Sequence, residues 1–383
     1  MAAPLFAAAE AGDEAEVRRL LAAGALAYGR SERGGLPLHP ASLHGHEGVV
    51  RLLLDAAPST AVAAARPAEA PLYFAALGGM AHLVQPLLEL ATAAAPRAGS
   101  KGQTALHVAA RTRQAGPVRL LLESNPNKAS VADRRGWTPL HTAAYYCQDA
   151  ACEVVGLLLA AAPATALAVD RDGWTPLHHA ADRGNLEAMK LLLAAAPQAA
   201  AAMDSNSQAP IHRAADASHA AAVQLLLEAA PELAFAPDAA GGDTPLHLIL
   251  RSWYIAQRGV EAARCLVRAA PAVQPALDLC VDAWPHSAIL FADLAACLPL
   301  SQEHWRSIPE PCPDLARALP AVLQRSAAEA GWLVGRLNAS QQARLRAAAL
   351  SLARAQRQSS TVLAAELSGR ILALALAEPI QAA

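Results

Sequence analysis

Aromatic side chains are scarce in this sequence: six Trp, five Tyr and four Phe in 383 residues, although 54% of the chain is hydrophobic. Much of the apolar count is alanine, which favours helix but contributes little burial per residue, so closely packed short helices are expected rather than one large globular core. Lysine is scarcer still, present only as Lys101, Lys128 and Lys190, and the formal net charge of −2 supplies no bulk attraction to nucleic acid or anionic membrane. The six cysteines form no C-x-x-C pair and follow no signal peptide. That pattern predicts reduced thiols in an intracellular protein, cytoplasmic or nuclear, with Cys147 and Cys152 as core or loop residues. The opening "MAAPLFAAAEAGDEAEV" lacks a basic region and carries acids early, so an import sequence is not expected. The apolar run "SAILFADLAACLPL" is too short to span a membrane and carries Asp293. No H-E-x-x-H, G-x-S-x-G, G-x-x-x-x-G-K-[ST] or G-x-G-x-x-G occurs, so no catalytic, metal-binding or cofactor-binding residue is assigned and a non-enzymatic protein is expected.

What the chain does have is a repeat. The segments "GLPLHPAS", "EAPLYFAA", "QTALHVAA", "WTPLHTAA", "WTPLHHAA", "QAPIHRAA" and "DTPLHLIL" place their central Leu or Ile at positions 38, 72, 106, 140, 177, 211 and 246, and an earlier copy sits at Leu5. The intervals run from 33 to 37 residues, the spacing of a solenoid. A second element follows about sixteen residues later in each unit and ends in sequences such as "RLLLDAAP", "GLLLAAAP" or "KLLLAAAP". Thr138, Thr175 and Thr244 can cap the first helix, and the proline after each suits position N1. Pro58, Pro126, Pro163, Pro197, Pro231 and Pro271 close the second. Each unit therefore reads as two short antiparallel helices. Pro40 and Pro86 fall inside predicted helices, at up to ~3 kcal/mol each, which makes units two and three the least regular. Between units, "DRRG" at Asp133 to Gly136 and "DRDG" at Asp170 to Gly173 fit a turn with Asp first and Gly last.

Those turns, the T-P-L-H-x-A-A segments and the L-L-L runs together resemble the ankyrin-repeat family. Eight units are counted, from Pro4 to about Pro271. The resemblance implies an all-α stack of helix pairs with β-turn fingers and a concave groove that binds protein. Most units replace the family's Gly-Ala-Asp helix ending with Ala-Ala-Pro, so less regular fingers are expected. Two units are longer than the rest: three extra residues fall near "YYCQDAAC" in unit five and five near "RSWYIAQRG" in unit eight. Insertions in repeat proteins map to loops, often on the binding side.

The recurring His39, His107, His141, His178, His212 and His247 invite a metal reading, but successive copies one repeat apart, about 10 Å in a helix stack, lie far beyond the ~2.1 Å of a zinc–nitrogen bond. The resemblance implies instead a buried imidazole hydrogen-bonded to backbone between units. Carried over position by position, the family's groove positions are Arg134, Arg135, Trp137, Tyr145 and Tyr146 in unit five; Arg171, Asp172, Trp174, Asp182 and Arg183 in unit six; and Gln103, Arg111 and Thr112 in unit four. Trp, Tyr and Arg are the residue types that dominate binding hot spots, so a protein partner is expected there. The competing reading is that Trp137 and Trp174 lie on each other and on the finger backbone, strengthening the stack. The arginines could read an acidic peptide or phosphate, but the interleaved aspartates fit a solvated mixed-sign face, and nucleic acid is not expected.

Beyond the array the pattern fades. Residues 1–274 are assigned to the repeats, 275–300 to a degenerate capping unit and 301–383 to a helical region of unassigned role. "PDLARALPAVLQRSAAEAGWLVGRL" predicts helix with a kink at Pro320, "NASQQARLRAAALSLARAQRQ" an amphipathic helix capped by Asn338 or Ser340, and "VLAAELSGRILALALAEPI" a final helix. The function expected is a scaffold binding a partner segment in the groove of units four to six. The alternatives are an adaptor delivering a client to a larger machine, such as a ubiquitin ligase, through the C-terminal helices, an enzyme with a catalytic domain after residue 301, and a homotypic assembly.

Overall fold

The computed structural model describes residues 2–31, 34–63, 70–91, 102–147, 152–239, 241–251, 259–269, 273–282, 288–310 and 312–359, and no strand occurs among them. The chain divides into two compact bodies, Met1–Ser205 and Asn206–Ala383.

Among its described residues the first body holds six helix pairs: Ala2–Ala11 with Glu14–Ala22, Leu38–His44 with Glu47–Ala56, Pro71–Gly78 with Ala81–Ala91, Ala105–Arg111 with Ala115–Ser124, Pro139–Tyr146 with Glu153–Ala161, and Pro176–Arg183 with Leu186–Ala195. First helices pack on first helices, and second helices follow alongside. Alanine makes that close approach possible. Ala109, Ala110, Ala143, Ala144, Ala180 and Ala181 are all buried on the first helices, where a larger side chain would push neighbouring repeats apart. Leu53, Leu87, Leu121, Leu158 and Leu192 fill the space behind them from the second helices.

The Ala-Ala-Pro endings do not loosen the repeat as the sequence suggests. Pro58, Pro126, Pro163, Pro197 and Pro231 each open a five-residue 3-10 turn, Pro58–Val62, Pro126–Ser130, Pro163–Leu167, Pro197–Ala201 and Pro231–Phe235. The residue before each proline lies outside the helical region, with φ from −147° at Ala162 to −164° at Asn125, as expected where a following proline ring disfavours helix. One proline thus stops a helix and starts the turn into the finger. The expectation for Pro40 is also corrected. It lies in the first turn of Leu38–His44, where the N–H it lacks would have no intrahelical partner anyway. Pro86 does interrupt the interior of Ala81–Ala91.

A second correction concerns sulfur: Cys147 and Cys152 form a disulfide, with Cα atoms 5.9 Å apart. Cys147 caps the end of Pro139–Tyr146 and Cys152 the start of Glu153–Ala161, so the longer link in unit five leaves the two residues within bonding reach. Residues 148–151 of that insertion, and 252–258 of the one in unit eight, lie outside the described residues.

The second body begins with the pairs Pro210–Asp216 with Ala220–Ala229 and Pro245–Arg251 with Val260–Arg268, followed by Val273–Asp282, Ala288–Cys297 and Gln302–Ser307. Two of its aromatics, Phe291 and Trp305, are fully buried in the core. The predicted kink at Pro320 is absent. Pro320 stands in the first turn of Leu319–Arg325, and the chain breaks instead at Ser326, whose hydroxyl accepts the Glu329 N–H and starts Ala327–Arg336. Asn338 caps Ala339–Ser359, its side-chain oxygen accepting the Gln341 N–H at 2.8 Å. The last predicted helix lies outside the described residues.

Candidate protein-interaction site

Two finger turns organise the site. Asp133 Oδ1 accepts the N–H groups of Arg135 (2.8 Å) and Trp137 (3.0 Å), and the Asp133 N–H donates to the Trp137 carbonyl (2.8 Å). Asp170 repeats the pattern one unit on, accepting from Asp172 and Trp174 at 2.9 Å each. Gly136 and Gly173 close the turns at φ 83° and 79°, a region that favours glycine. The Arg171 N–H donates to the Arg135 carbonyl at 3.0 Å, joining the two fingertips.

Behind the fingers runs the histidine ladder that the resemblance implied. His141 Nδ1 accepts the Thr138 N–H (3.1 Å), while Nε2 reaches the Trp174 carbonyl of the next unit (3.0 Å). His107 does the same between Thr104 and the Trp137 carbonyl, and His212 between Ala209 and the Ala236 carbonyl. A carbonyl only accepts, so Nε2 carries the proton and Nδ1 is the acceptor: the ring must be neutral. Burial, followed by the charge of His179, outweighs the backbone hydrogen bonds and lowers His141 to about 4. Burial also lowers His107 and His212.

The residue after His178 carries a role that the repeat pattern did not reveal. His179 is buried, and its Nε2 meets Asp170 Oδ2 at 2.9 Å. Around it stand Trp137 (ring centres 4.4 Å apart), Trp174 (4.9 Å), His141 (5.6 Å) and Tyr145 (6.0 Å). Its Nδ1 is buried with no hydrogen-bond partner among the described residues. Burial would raise the Asp170 pKa, but hydrogen bonds from His179 and the Trp174 and Asp172 N–H groups hold it below the usual carboxylate range. The two tryptophans therefore meet through His179. The one visible signal was the doublet His178-His179, since this position holds Ala7, Pro40, Phe74, Val108, Thr142, Arg213 and Leu248 in the other units.

The outer side of this cluster is a line of rings and cations. Arg135 lies over Trp137 (5.9 Å), Trp137 contacts Tyr145 (5.5 Å), Tyr145 contacts Tyr146 (4.9 Å), and Arg183 lies over Tyr145 (4.9 Å). Trp137, Tyr145 and Trp174 are half-buried, and Tyr146 is 40% exposed. Arg134, Arg135, Arg171, Asp172 and Arg183 are exposed, while Arg111 and Asp182 are half-buried. The unit-four positions do not join the cluster in the same way. Thr112 donates to the Val108 carbonyl in its own helix (3.0 Å), and Gln103 reaches back to Asp133 Oδ2 (3.5 Å). Among the described residues no group of three or more His, Cys, Asp or Glu is placed to hold a metal, and no helix is long and apolar enough to cross a membrane.

Family models of ankyrin repeats match residues 5–54, 72–166 and 147–235, together more than half of the chain. Among solved structures the fold is similar to the ankyrin repeat domain of human ASB11, at 24% identity and a TM-score of 0.50, over 58% of this chain and 97% of that one. No match is found among curated proteins. With its helix pairs, turn aspartates and histidine ladder in register with those matches, the chain belongs to the ankyrin-repeat family, whose repeats are protein–protein interaction modules.

Proposed function

We propose that this chain is a non-enzymatic scaffold that binds a segment of another protein on the groove side of units four to six. The line Arg135–Trp137–Tyr145–Arg183, with Tyr146 exposed beside it, carries the reading. Trp, Tyr and Arg supply large contact area at low entropic cost and dominate interface energetics. Trp137 and Tyr145 are already packed against His179, so little ordering of them remains to be done on binding. Arg111, Arg134, Arg171, Asp172, Trp174 and Asp182 frame that line in this reading. Residues 1–274 form the binding array, 275–300 its cap and 301–383 a helical extension or second attachment point.

The test is comparative affinity capture from lysate. Wild type is set against a variant carrying Tyr146→Ala, Arg135→Ala and Arg183→Ala, three partly or fully exposed side chains whose loss leaves Trp137, Trp174 and His179 in place. A discrete set of proteins should disappear from the variant while its circular dichroism melt stays at the wild-type temperature. An unchanged set from a folded variant removes the groove reading.

A further inference from the structure

We infer that the segment bound by units four to six is acidic, an extended polypeptide stretch with Asp or Glu about three residues apart. The inference rests on the groove reading and adds the chemistry of its occupant. Its basis is a difference in how the first body uses its cations. On the second helices most basic residues are neutralised within the chain: Arg19 pairs with Glu16 (2.6 Å), Arg51 with Glu47, Arg119 with Glu153 (2.6 Å) and Lys190 with Glu187 (2.7 Å), Arg18 being the exception among the described residues. Arg111, Arg134, Arg135, Arg171 and Arg183 have no carboxylate partner among the described residues. The nearby acids are committed elsewhere. Asp133 and Asp170 hold the finger turns, and Asp170 also holds His179. Five arginines outnumber the acids Asp172 and Asp182 beside them, which makes this face cationic on a chain whose net charge is −2.

The geometry favours carboxylates. Arg183 and Arg135 lay their guanidinium groups over Tyr145 and Trp137. Stacking occupies the flat face of a guanidinium and leaves its in-plane N–H donors free, the arrangement that takes a carboxylate side-on. The Arg135 carbonyl joined to the Arg171 N–H sets consecutive fingertips side by side. Repeats follow one another at about 10 Å, and an extended chain in the polyproline-II conformation advances about 3.1 Å per residue with about three residues per turn, so carboxylates three residues apart share a face and match successive repeats. A nucleic acid is the poorer occupant. Among its described residues the face has no lysine and interposes Asp172 between its arginines, and five cations on three units offer little counterion release.

The full chain, immobilised, is panned against a random phage-displayed library of about twelve-residue peptides. The enriched peptides should be net negative, with Asp or Glu at i and i+3. A synthetic peptide of the winning sequence should lose about tenfold or more in affinity to the combined Arg134→Gln, Arg135→Gln, Arg171→Gln and Arg183→Gln variant, and nothing to Arg51→Gln with Arg119→Gln. All four groove side chains are exposed, and the single change Arg171→Glu serves if the combined variant melts early; it should weaken binding in the same direction. Peptides that are apolar or basic yet still depend on Tyr146 overturn the acidic assignment and leave the groove reading standing. Peptides insensitive to both sets of changes, or no enrichment at all, overturn both. Arginine-dependent binding of a fluorescent single-stranded oligonucleotide of about twenty nucleotides, without peptide binding, overturns the inference in favour of nucleic acid.

Discussion

Asp170 and Asp133 occupy the same position of adjacent finger turns and differ in one contact. Both hold two backbone N–H groups with Oδ1, but Asp170 Oδ2 also takes buried His179 at 2.9 Å, whereas Asp133 Oδ2 meets Gln103 at 3.5 Å. Replacing either by Ala orphans turn N–H groups at about 1–2 kcal/mol. Asp170→Ala also leaves a buried imidazole unpaired on both nitrogens, and should cost about 3 kcal/mol or more. Urea unfolding of the two variants checks this, and equal midpoints would sink the claim that His179 and Asp170 form a clasp. The turn itself was legible, because Asp-x-x-Gly is a local pattern read from neighbouring residues. The clasp was not. It joins side chains of two units through rotamers, and the repeat pattern treats the position of His179 as free. That is why the rings left two readings open. The tryptophans contribute to the stack on their inner faces through His179, and only their outer faces remain for the proposed partner.

Elements were legible wherever local chemistry fixes them. Threonine followed by proline starts the first helices at Thr138 and Thr175, and the proline endings stop the second ones. What local reading misjudged was the effect of a proline in its neighbourhood. At Pro163 and Pro197 it stops one helix and seeds a 3-10 turn, and at Pro40 and Pro320 it sits in a first turn where it costs little. The Cys147–Cys152 bond was missed because a spacing of five residues fits no motif; what pairs the cysteines is the meeting of two helix ends. Closing so short a loop removes limited chain entropy, about 2 kcal/mol. A phosphine reductant, or Cys147→Ser with Cys152→Ser, should therefore lower the urea midpoint of the intact protein by that equivalent, and the reductant should add nothing to the double variant. A wild-type midpoint indifferent to reductant, with two extra titratable thiols in the folded protein, would falsify the bond as a stabilising link.

Across the whole chain the histidine ladder ties stability to pH. His107 and His141 in the first body and His212 in the second each offer Nδ1 as an acceptor to a backbone N–H and donate Nε2–H to a backbone carbonyl. A proton on Nδ1 would set donor against donor in a buried site. The folded pKa of each lies below the ordinary histidine value, at about 4 for His141. The unfolded chain binds these protons near pH 6.5, so it takes them up first as the solution is acidified, and linkage then favours unfolding. The contribution is complete above about pH 6.5, falls as the pH drops toward 4, and levels off once the folded rings also protonate. For His141 alone a shift of that size corresponds to roughly 3 kcal/mol. The carboxylates act in a lower window. Burial would raise Asp238, but hydrogen bonds from Gln208 and from the Gly241, Asp243 and Gly242 backbone bring it to about 2, so its contribution persists above the usual carboxylate range and fades only in stronger acid. Urea midpoints measured from pH 7.5 to 4.5 should thus decline steadily through a range where Asp170 and Asp238 remain ionised. His141→Gln, whose amide can meet both backbone partners without titrating, should start lower and decline less steeply. A flat profile down to pH 5 would mean that the ladder does not couple to folding, and the neutral-tautomer assignment would fall with it.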